Sequence, residues 1–130
     1  MTLSAQDMLE LHHLYAVYSH AVDDGDGAGV AACFVPDGVL DTGQGLVEGS
    51  DALVAFGVNT AAAVPGIRHL VTNVHVTGDG SQATGRAYIY SYRPTESGPE
   101  AIFTGRYRDD FARVDEEWLL VKRQFVADAI

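Results

Sequence analysis

Apolar residues recur at steps of three and four near the start of the chain, the spacing of one helix face. The positions are Met8, Leu11, Leu14, Tyr15, Tyr18 and Val22. Ser4 can cap the N-terminus, Asp7 suits the first turn, and Gly25 can end the helix. The pattern therefore predicts a first helix over residues 4–24.

Shorter elements follow this helix. A second helix is predicted over Val30–Phe34, and Pro36-Asp37-Gly38 is expected to close it. Two short strands, Val39–Asp41 and Gly45–Val47, would flank the turn 42–44. Ser50 would then cap a third helix over residues 51–60, which Ala61–Ala63 could extend and Pro65-Gly66 would end.

From Ile67 onward the alternation is that of β-strands. Strands are predicted over residues 67–77, 82–93, 101–114 and 117–126, and the segment Pro94–Pro99 is expected to be a mobile rim loop. Helices followed by a meander indicate an α+β fold in one domain, residues 1–130. We expect a curved antiparallel or mixed sheet wrapped around the N-terminal helices, forming a cone with an interior pocket.

Composition narrows the function classes. The 130 residues carry 18 Asp and Glu against eight Lys and Arg, for a net charge of −10. Nucleic-acid binding needs a basic patch, so it is not expected. No stretch approaches the apolar length of a membrane span and the start lacks a signal-peptide pattern, so a cytoplasmic protein is predicted. The single Cys33 lies in an apolar run and is interpreted as a core residue.

Asp23 is the first candidate for chemistry. It lies on the flank of the apolar stripe, whereas Asp24 points toward solvent. Its carboxylate lies in the last helical turn, where the helix dipole disfavours negative charge by roughly 0.3–1 kcal/mol. Position alone favours a solvated acidic cluster that ends the helix, and a poised base is the alternative.

His69 opens a strand whose alternation would place His69, Val71, Asn73 and His75 on one face. That face mixes apolar and hydrogen-bonding groups, as a pocket wall would. A histidine suits proton transfer at neutral pH, although a structural histidine is the commoner case. His75 is interpreted as structural or exposed, and the histidine spacings indicate no metal site.

Arg123 breaks an otherwise apolar strand face that would include Leu119, Val121 and Phe125. A charge there needs a partner or a cavity, so a salt bridge to a core carboxylate and a pocket role are equally open. Tyr88, Tyr90 and Tyr92 share one face of the strand predicted over residues 82–93. Aromatic residues in such a row usually belong to a core or an interface, which suggests a homodimer through the outer sheet face. Tyr18 could reach the pocket or satisfy its hydroxyl in the core.

Several motifs together resemble the SnoaL-like branch of the nuclear transport factor 2-like (cystatin-like) superfamily. They are Tyr15-x-x-Tyr18-x-x-x-x-Asp23-x-x-Asp26, Phe34-x-Pro36-Asp37-Gly38, Gly49, Arg68-His69-x-x-x-Asn73, Gly105-x-Tyr107-x-Asp109 and Trp118-x-x-x-x-Arg123. They extend over nearly the whole chain. Order and spacing are specific for the fold, while the superfold hosts dehydratases, isomerases, cyclases, dehydrochlorinases and non-catalytic binders.

The polar set resembles that of scytalone dehydratase, bile-acid 7α-dehydratase and hexachlorocyclohexane dehydrochlorinase. The resemblance implies an Asp23–His69 dyad with His69 as base, Arg123 as a cavity arginine and Tyr18 as a hydroxyl donor. It implies no cofactor or metal. Scytalone dehydratase has a second active-site histidine that the later strands of this chain lack. The expected pocket-lining residues are Tyr15, Phe56, Val71, Asn73, Val121 and Phe125.

Three functions are therefore open. The first is a cofactor-independent lyase, preferably a dehydratase, or an isomerase, acting on a small hydrophobic cyclic substrate such as a steroid or polyketide. The second is a binding module or accessory subunit with the same cavity and no reaction. The third is a dimeric partner protein that uses the tyrosine face of the sheet.

Overall fold

The helices and strands follow the predicted order in the computed structural model, which describes residues 2–129. The helices are α1 (Ala5–Asp24), α2 (Gly27–Ala32) and α3 (Ser50–Ala63). The strands are β1 (Phe34–Asp41), β2 (Leu46–Glu48), β3 (Arg68–Gly78), β4 (Gln82–Thr95), β5 (Gly98–Val114) and β6 (Glu117–Ala127). One sheet has the order β2-β1-β6-β5-β4-β3, with only β1 and β6 parallel. The predicted α+β class with a curved mixed sheet is confirmed.

Local sequence signals set both ends of α1. The Ser4 hydroxyl accepts the Asp7 backbone N–H at 3.0 Å, and the Asp7 carboxylate accepts the Ser4 N–H at 3.2 Å. At the other end Gly25 adopts φ 68°, which glycine tolerates without a steric cost. The predicted bounds are confirmed, although Met8 is exposed and the buried stripe begins at Leu11.

The segment between α1 and α3 differs from its prediction. Asp26 caps α2 by accepting the Gly29 N–H at 2.9 Å, so the helix begins at Gly27 and ends before Phe34. The Pro36-Asp37-Gly38 segment lies within β1 instead of forming a turn, in a stretch where the register with β6 shifts. Proline has no N–H for a ladder, so it fits such an irregularity. Gly49, at φ 85°, takes the capping position predicted for Ser50.

Two β-bulges reverse the predicted strand faces. In β3 the register shifts between Thr72 and His75, and Asn73 adopts φ 56°. In β6 the register passes from Leu120 to Lys122 and leaves Val121 as the extra residue. Because one extra residue exchanges the two faces of a strand, the faces predicted for β3 and β6 are wrong beyond these points.

The segment predicted as a mobile rim loop is instead the paired end of a hairpin. Pro94 pairs with Pro99 and Thr95 with Gly98, so only Glu96 and Ser97 remain between β4 and β5. The Thr95 hydroxyl also donates to the Gly98 carbonyl oxygen at 2.6 Å. The loop prediction was wrong because the strands continue through both prolines.

The core lies between the three helices and the inner face of the sheet. It is formed by α1, α2, α3 and all strands except β2, with Leu11, Val22, Val30, Leu53 and Leu120 among its least exposed members. Helices α2 and α3 approach closely at Gly27 and Gly57. Among the helices of residues 2–129, none combines the length and the apolar character that a membrane span requires.

Candidate active site

The last turn of α1 and the start of β3 place Asp23 against His69. Asp23 Oδ1 lies 2.5 Å from His69 Nδ1, and Asp23 Oδ2 accepts the His69 backbone N–H at 3.2 Å. The carboxylate therefore contacts two donors on one residue, which fixes its orientation. The Asp23 side chain is 10% exposed and the His69 side chain is 6% exposed, so little water competes for these hydrogen bonds. An acceptor at Nδ1 selects the tautomer whose Nε2 is free to accept a proton.

His69 opens onto an interior cavity of about 360 Å³. The other lining residues come from α1, α3, β1, β5, β6 and the turn after β1: Tyr18, Val22, Leu40, Thr42, Gln44, Phe56, Thr60, Phe103, Tyr107, Phe125 and Ala127. This volume lies near the lower end of the range for small-molecule sites. Most of the wall is apolar or aromatic, so the cavity suits a small hydrophobic ligand with few polar groups.

Aromatic contacts hold the histidine side of the cavity in place. The ring of Phe103 lies 5.6 Å from the His69 ring and 5.0 Å from Phe125, measured between centroids. Tyr107 lies 6.3 Å from Phe125 at an interplanar angle of 70°. Phe103 packs against the tilted His69 ring and is itself held edge-to-face by Phe125, so the position of His69 does not depend on Asp23 alone.

Arg123 does not reach the cavity surface. Its Nε and Nη2 donate to the two carboxylate oxygens of Asp109 at 2.8 and 3.0 Å, and the residue is only 1% exposed. The Tyr15 hydroxyl donates to Asp109 Oδ2 at 2.6 Å. The alternative of a salt bridge to a core carboxylate is therefore the one the structure supports, and the expectation of a cavity arginine was wrong.

Three tyrosine rings surround the Arg123 guanidinium. Its Cζ lies 5.0 Å from the Tyr15 ring centroid, 4.3 Å from that of Tyr18 and 3.8 Å from that of Tyr107. Such distances give favourable cation–π attraction. The ion pair thus supports the cavity wall from behind, and it contacts Tyr18 and Tyr107 through their ring faces.

Tyr18 and Tyr107 remain protonated at neutral pH. Burial raises the pKa of Tyr18 to about 12, although the Arg123 charge acts in the opposite direction. Burial, aided by the neighbouring Tyr18, raises the pKa of Tyr107 well above its usual value. Both side chains line the cavity, so each can present a neutral hydroxyl to a ligand.

The structure brings only part of the expected set together. Asp23, His69, Tyr18, Phe56 and Phe125 lie at the cavity or directly behind it.

Four expected pocket residues lie elsewhere. Asn73 is exposed because the β3 bulge turns it outward, and Val121 is exposed as the extra residue of the β6 bulge. Tyr15 is buried against Asp109 and not at the cavity surface. Val71 packs against the core cluster instead of lining the cavity.

Sequence reasoning missed three important residues, which are Phe103, Tyr107 and Asp109. Tyr107 and Asp109 stood in a recognised motif, and their alternation with Gly105 on β5 was the available signal for an inward face. Phe103 continues that face. Nothing in the local sequence, however, identifies Asp109 as the partner of Arg123, because that contact depends on the pairing of β5 with β6.

No cluster of three or more histidine, cysteine, aspartate or glutamate side chains suitable for a metal ion occurs within residues 2–129. Cys33 is buried, and burial raises the pKa of its thiol to about 11, which disfavours the reactive thiolate.

Comparison with known proteins identifies the family. The model of the SnoaL-like domain matches residues 4–124. No curated protein sequence matches the chain. Among solved structures, 443 chains match, so the fold alone does not select one reaction.

Three of these structures illustrate the likeness. Rv3472 of Mycobacterium tuberculosis, of unknown function, has a TM-score of 0.88 at 29% identity over 95% of this chain and 72% of its own. An NTF2-like protein with a cystatin-like fold from Novosphingobium aromaticivorans has a TM-score of 0.85 at 25% identity over 94% and 82%. A protein of the same organism, provisionally named an aromatic ring hydroxylase, has a TM-score of 0.85 at 26% identity over 98% and 93%.

Proposed function

The chain belongs to the SnoaL-like domain family, and we propose that it is a cofactor-independent lyase or isomerase acting on a small hydrophobic cyclic molecule. The observation that carries the proposal is the 2.5 Å contact between Asp23 and His69, with His69 opening onto a largely apolar cavity. A base in a dry, shaped site is the arrangement that proton abstraction from carbon requires.

The proposed reaction begins at His69 Nε2. This nitrogen takes a proton from the carbon next to a carbonyl group, and the electron pair of the C–H bond moves to form an enolate. Asp23 accepts the Nδ1–H and stabilises the resulting imidazolium, the role that a carboxylate has in other carboxylate–histidine pairs. The enolate is the intermediate from which both proposed outcomes follow.

In a dehydratase the enolate expels a hydroxyl group from the β carbon, and the imidazolium gives its proton to form water. A β-hydroxy carbonyl compound thereby becomes an unsaturated carbonyl compound and water. In an isomerase the imidazolium returns the proton to a different carbon of a conjugated enolate. Both outcomes regenerate neutral His69 without an external oxidant or reductant.

Deuterium exchange tests the proton transfer directly, whichever product the enolate gives. The protein would be incubated in D₂O with a panel of cyclic ketones and β-hydroxy ketones, and deuterium at the α carbon would be followed by mass spectrometry. We expect catalysed exchange for at least one compound, falling by about 10²–10⁴-fold in His69→Gln. Asp23→Asn should also lose most of the rate, because the Nδ1–H then lacks a charged acceptor.

His75→Gln is the matched control, because His75 lies on the same strand and is exposed. Unchanged exchange in His69→Gln would overturn the proposal. Compounds that bind the cavity in wild type with no exchange above background would instead support the alternative of a binding module without a reaction.

We also propose that two copies of the chain associate through the outer sheet face. Leu70, Tyr88 and Tyr90 on β3 and β4 are 49%, 56% and 45% exposed. Together they form a larger exposed apolar patch than isolated surface residues do. Analytical ultracentrifugation should find a dimer that Tyr90→Glu dissociates and that Val58→Glu on α3 leaves intact. A monomeric wild type, or a dimer indifferent to Tyr90→Glu, would contradict this interface.

A further inference from the structure

Two tyrosines from different elements meet in the wall of the cavity. Tyr18 comes from α1 and Tyr107 from β5, and their ring centroids lie 6.2 Å apart at an interplanar angle of 86°. Both are almost completely buried, yet both line the cavity. Within residues 2–129, neither hydroxyl donates a hydrogen bond to a protein acceptor, and neither oxygen is among the fully buried polar atoms that lack a partner. Both hydroxyls therefore keep contact with the cavity and are free to donate to a ligand there.

The ion pair behind the wall restricts both rings. The Arg123 guanidinium lies over the Tyr18 and Tyr107 ring faces, and Asp109 holds that guanidinium in a two-bond contact. A cation over the ring face leaves the hydroxyl at the ring edge free to donate. The two donors are therefore preorganised before a ligand enters, which is the condition for strong stabilisation of developing negative charge.

The other hydroxyls of the lining already have partners. The Thr60 hydroxyl donates to the Phe56 carbonyl oxygen at 2.8 Å, and the Thr42 hydroxyl donates to that of Gly45 at 3.1 Å. The two phenol hydroxyls have no such acceptor. They also stay protonated at neutral pH, because burial raises the pKa of each. The negative charge of Asp23 contributes to this effect at Tyr107, so this hydroxyl lies within electrostatic reach of the Asp23–His69 pair.

We infer that Tyr18 and Tyr107 together bind the carbonyl oxygen of the substrate and donate two hydrogen bonds to the enolate that His69 generates. The inference rests on the proposed function, and it adds Tyr107 as a second donor to the hydroxyl donor that the family resemblance implied at Tyr18. The Arg123 charge is already paired with Asp109, so hydrogen bonds from the two phenols, and not a free counter-ion, would stabilise the negative charge on the substrate oxygen.

Binding of 4-nitrophenol provides a test that needs no natural substrate. Its phenolate oxygen imitates the enolate oxygen, and its absorbance reports ionisation. We expect wild type to bind the phenolate, with the bound probe more ionised than the free probe at the same pH. Tyr107→Phe and Tyr18→Phe should each weaken binding by about tenfold or more, since each removes a hydrogen bond to a charged group. Affinity for 4-nitrotoluene, which lacks the oxygen, should change by less than about twofold.

Tyr88→Phe is the matched control, because that tyrosine is exposed on the outer sheet face. Equal losses for nitrophenol and nitrotoluene would show a packing defect and overturn the donor role. Unchanged nitrophenol affinity in both cavity variants would overturn it too. If His69→Gln abolishes deuterium exchange while both cavity variants retain wild-type exchange and binding, the inference fails and the proposed function stands. Undiminished exchange in His69→Gln removes the proposed function itself.

Discussion

Asp109→Asn is expected to destabilise the protein strongly, although the substitution keeps the size and shape of the side chain. In the wild type the carboxylate accepts three hydrogen bonds, from Arg123 Nε, Arg123 Nη2 and the Tyr15 hydroxyl. An asparagine amide replaces one acceptor oxygen with a donor. In its better orientation the Nδ2 group still faces Arg123 Nε, so two donors oppose each other and the arginine charge loses its counter-ion.

The magnitude follows from the burial of the pair. Arg123 is 1% exposed and Asp109 is 3% exposed, so water cannot replace the lost partner. Removing one partner of a buried ion pair costs about 3–5 kcal/mol. Unfolding of 130 residues carries an entropy of roughly 0.27 kcal/mol/K, so Tm should fall by about 11–18 °C.

Urea unfolding followed by tryptophan fluorescence measures this loss, because Trp118 is the only tryptophan and is buried. Asp110→Asn is the matched control. Asp110 is the next residue and is exposed, so this substitution should change the free energy of unfolding by less than about 0.5 kcal/mol. The double variant Asp109→Leu/Arg123→Met should recover much of the stability, since it removes both charges. Equal stability of Asp109→Asn and Asp110→Asn would refute the reasoning.

Two further predictions concern packing and pH. Gly27→Ala should destabilise the protein by about 1–3 kcal/mol, because a Cβ there would lie 2.2 Å from the Val54 carbonyl oxygen. Urea unfolding measures this loss, and Gly45→Ala is the control, because a Cβ at Gly45 would have no heavy atom within 4 Å. Stability should also decline from about pH 9 to pH 12. The folded-state pKa values of Cys33 and Tyr18 are raised to about 11 and about 12, so the unfolded chain loses these protons first. Tyr18→Phe should have a shallower decline, and an equal slope would contradict the assignment.

Sequence pattern located the elements whose signals are local. The Ser4–Asp7 capping pair and Gly25 set the ends of α1, and the predicted strands 101–114 and 117–126 correctly left a two-residue hairpin turn at Asp115-Glu116. The same locality explains the Asp23–His69 hypothesis. One residue ends a helix on the flank of its apolar stripe and the other opens a strand, and the family resemblance joined them. The structure shows that the two side chains are in contact, and the reaction remains a proposal.

Tertiary structure alone decided which side chains enter the cavity. The bulges at Asn73 and Val121 arise where one strand has an extra residue relative to its neighbour. The sequence of one strand does not show how many residues the neighbouring strand places opposite it. Arg123 was visible as an anomaly, but its partner Asp109 is set by the pairing of β5 with β6. Local propensity therefore determined the elements, whereas cross-strand register determined the chemistry of the cavity wall, because a shift of one residue exchanges the two faces of a strand.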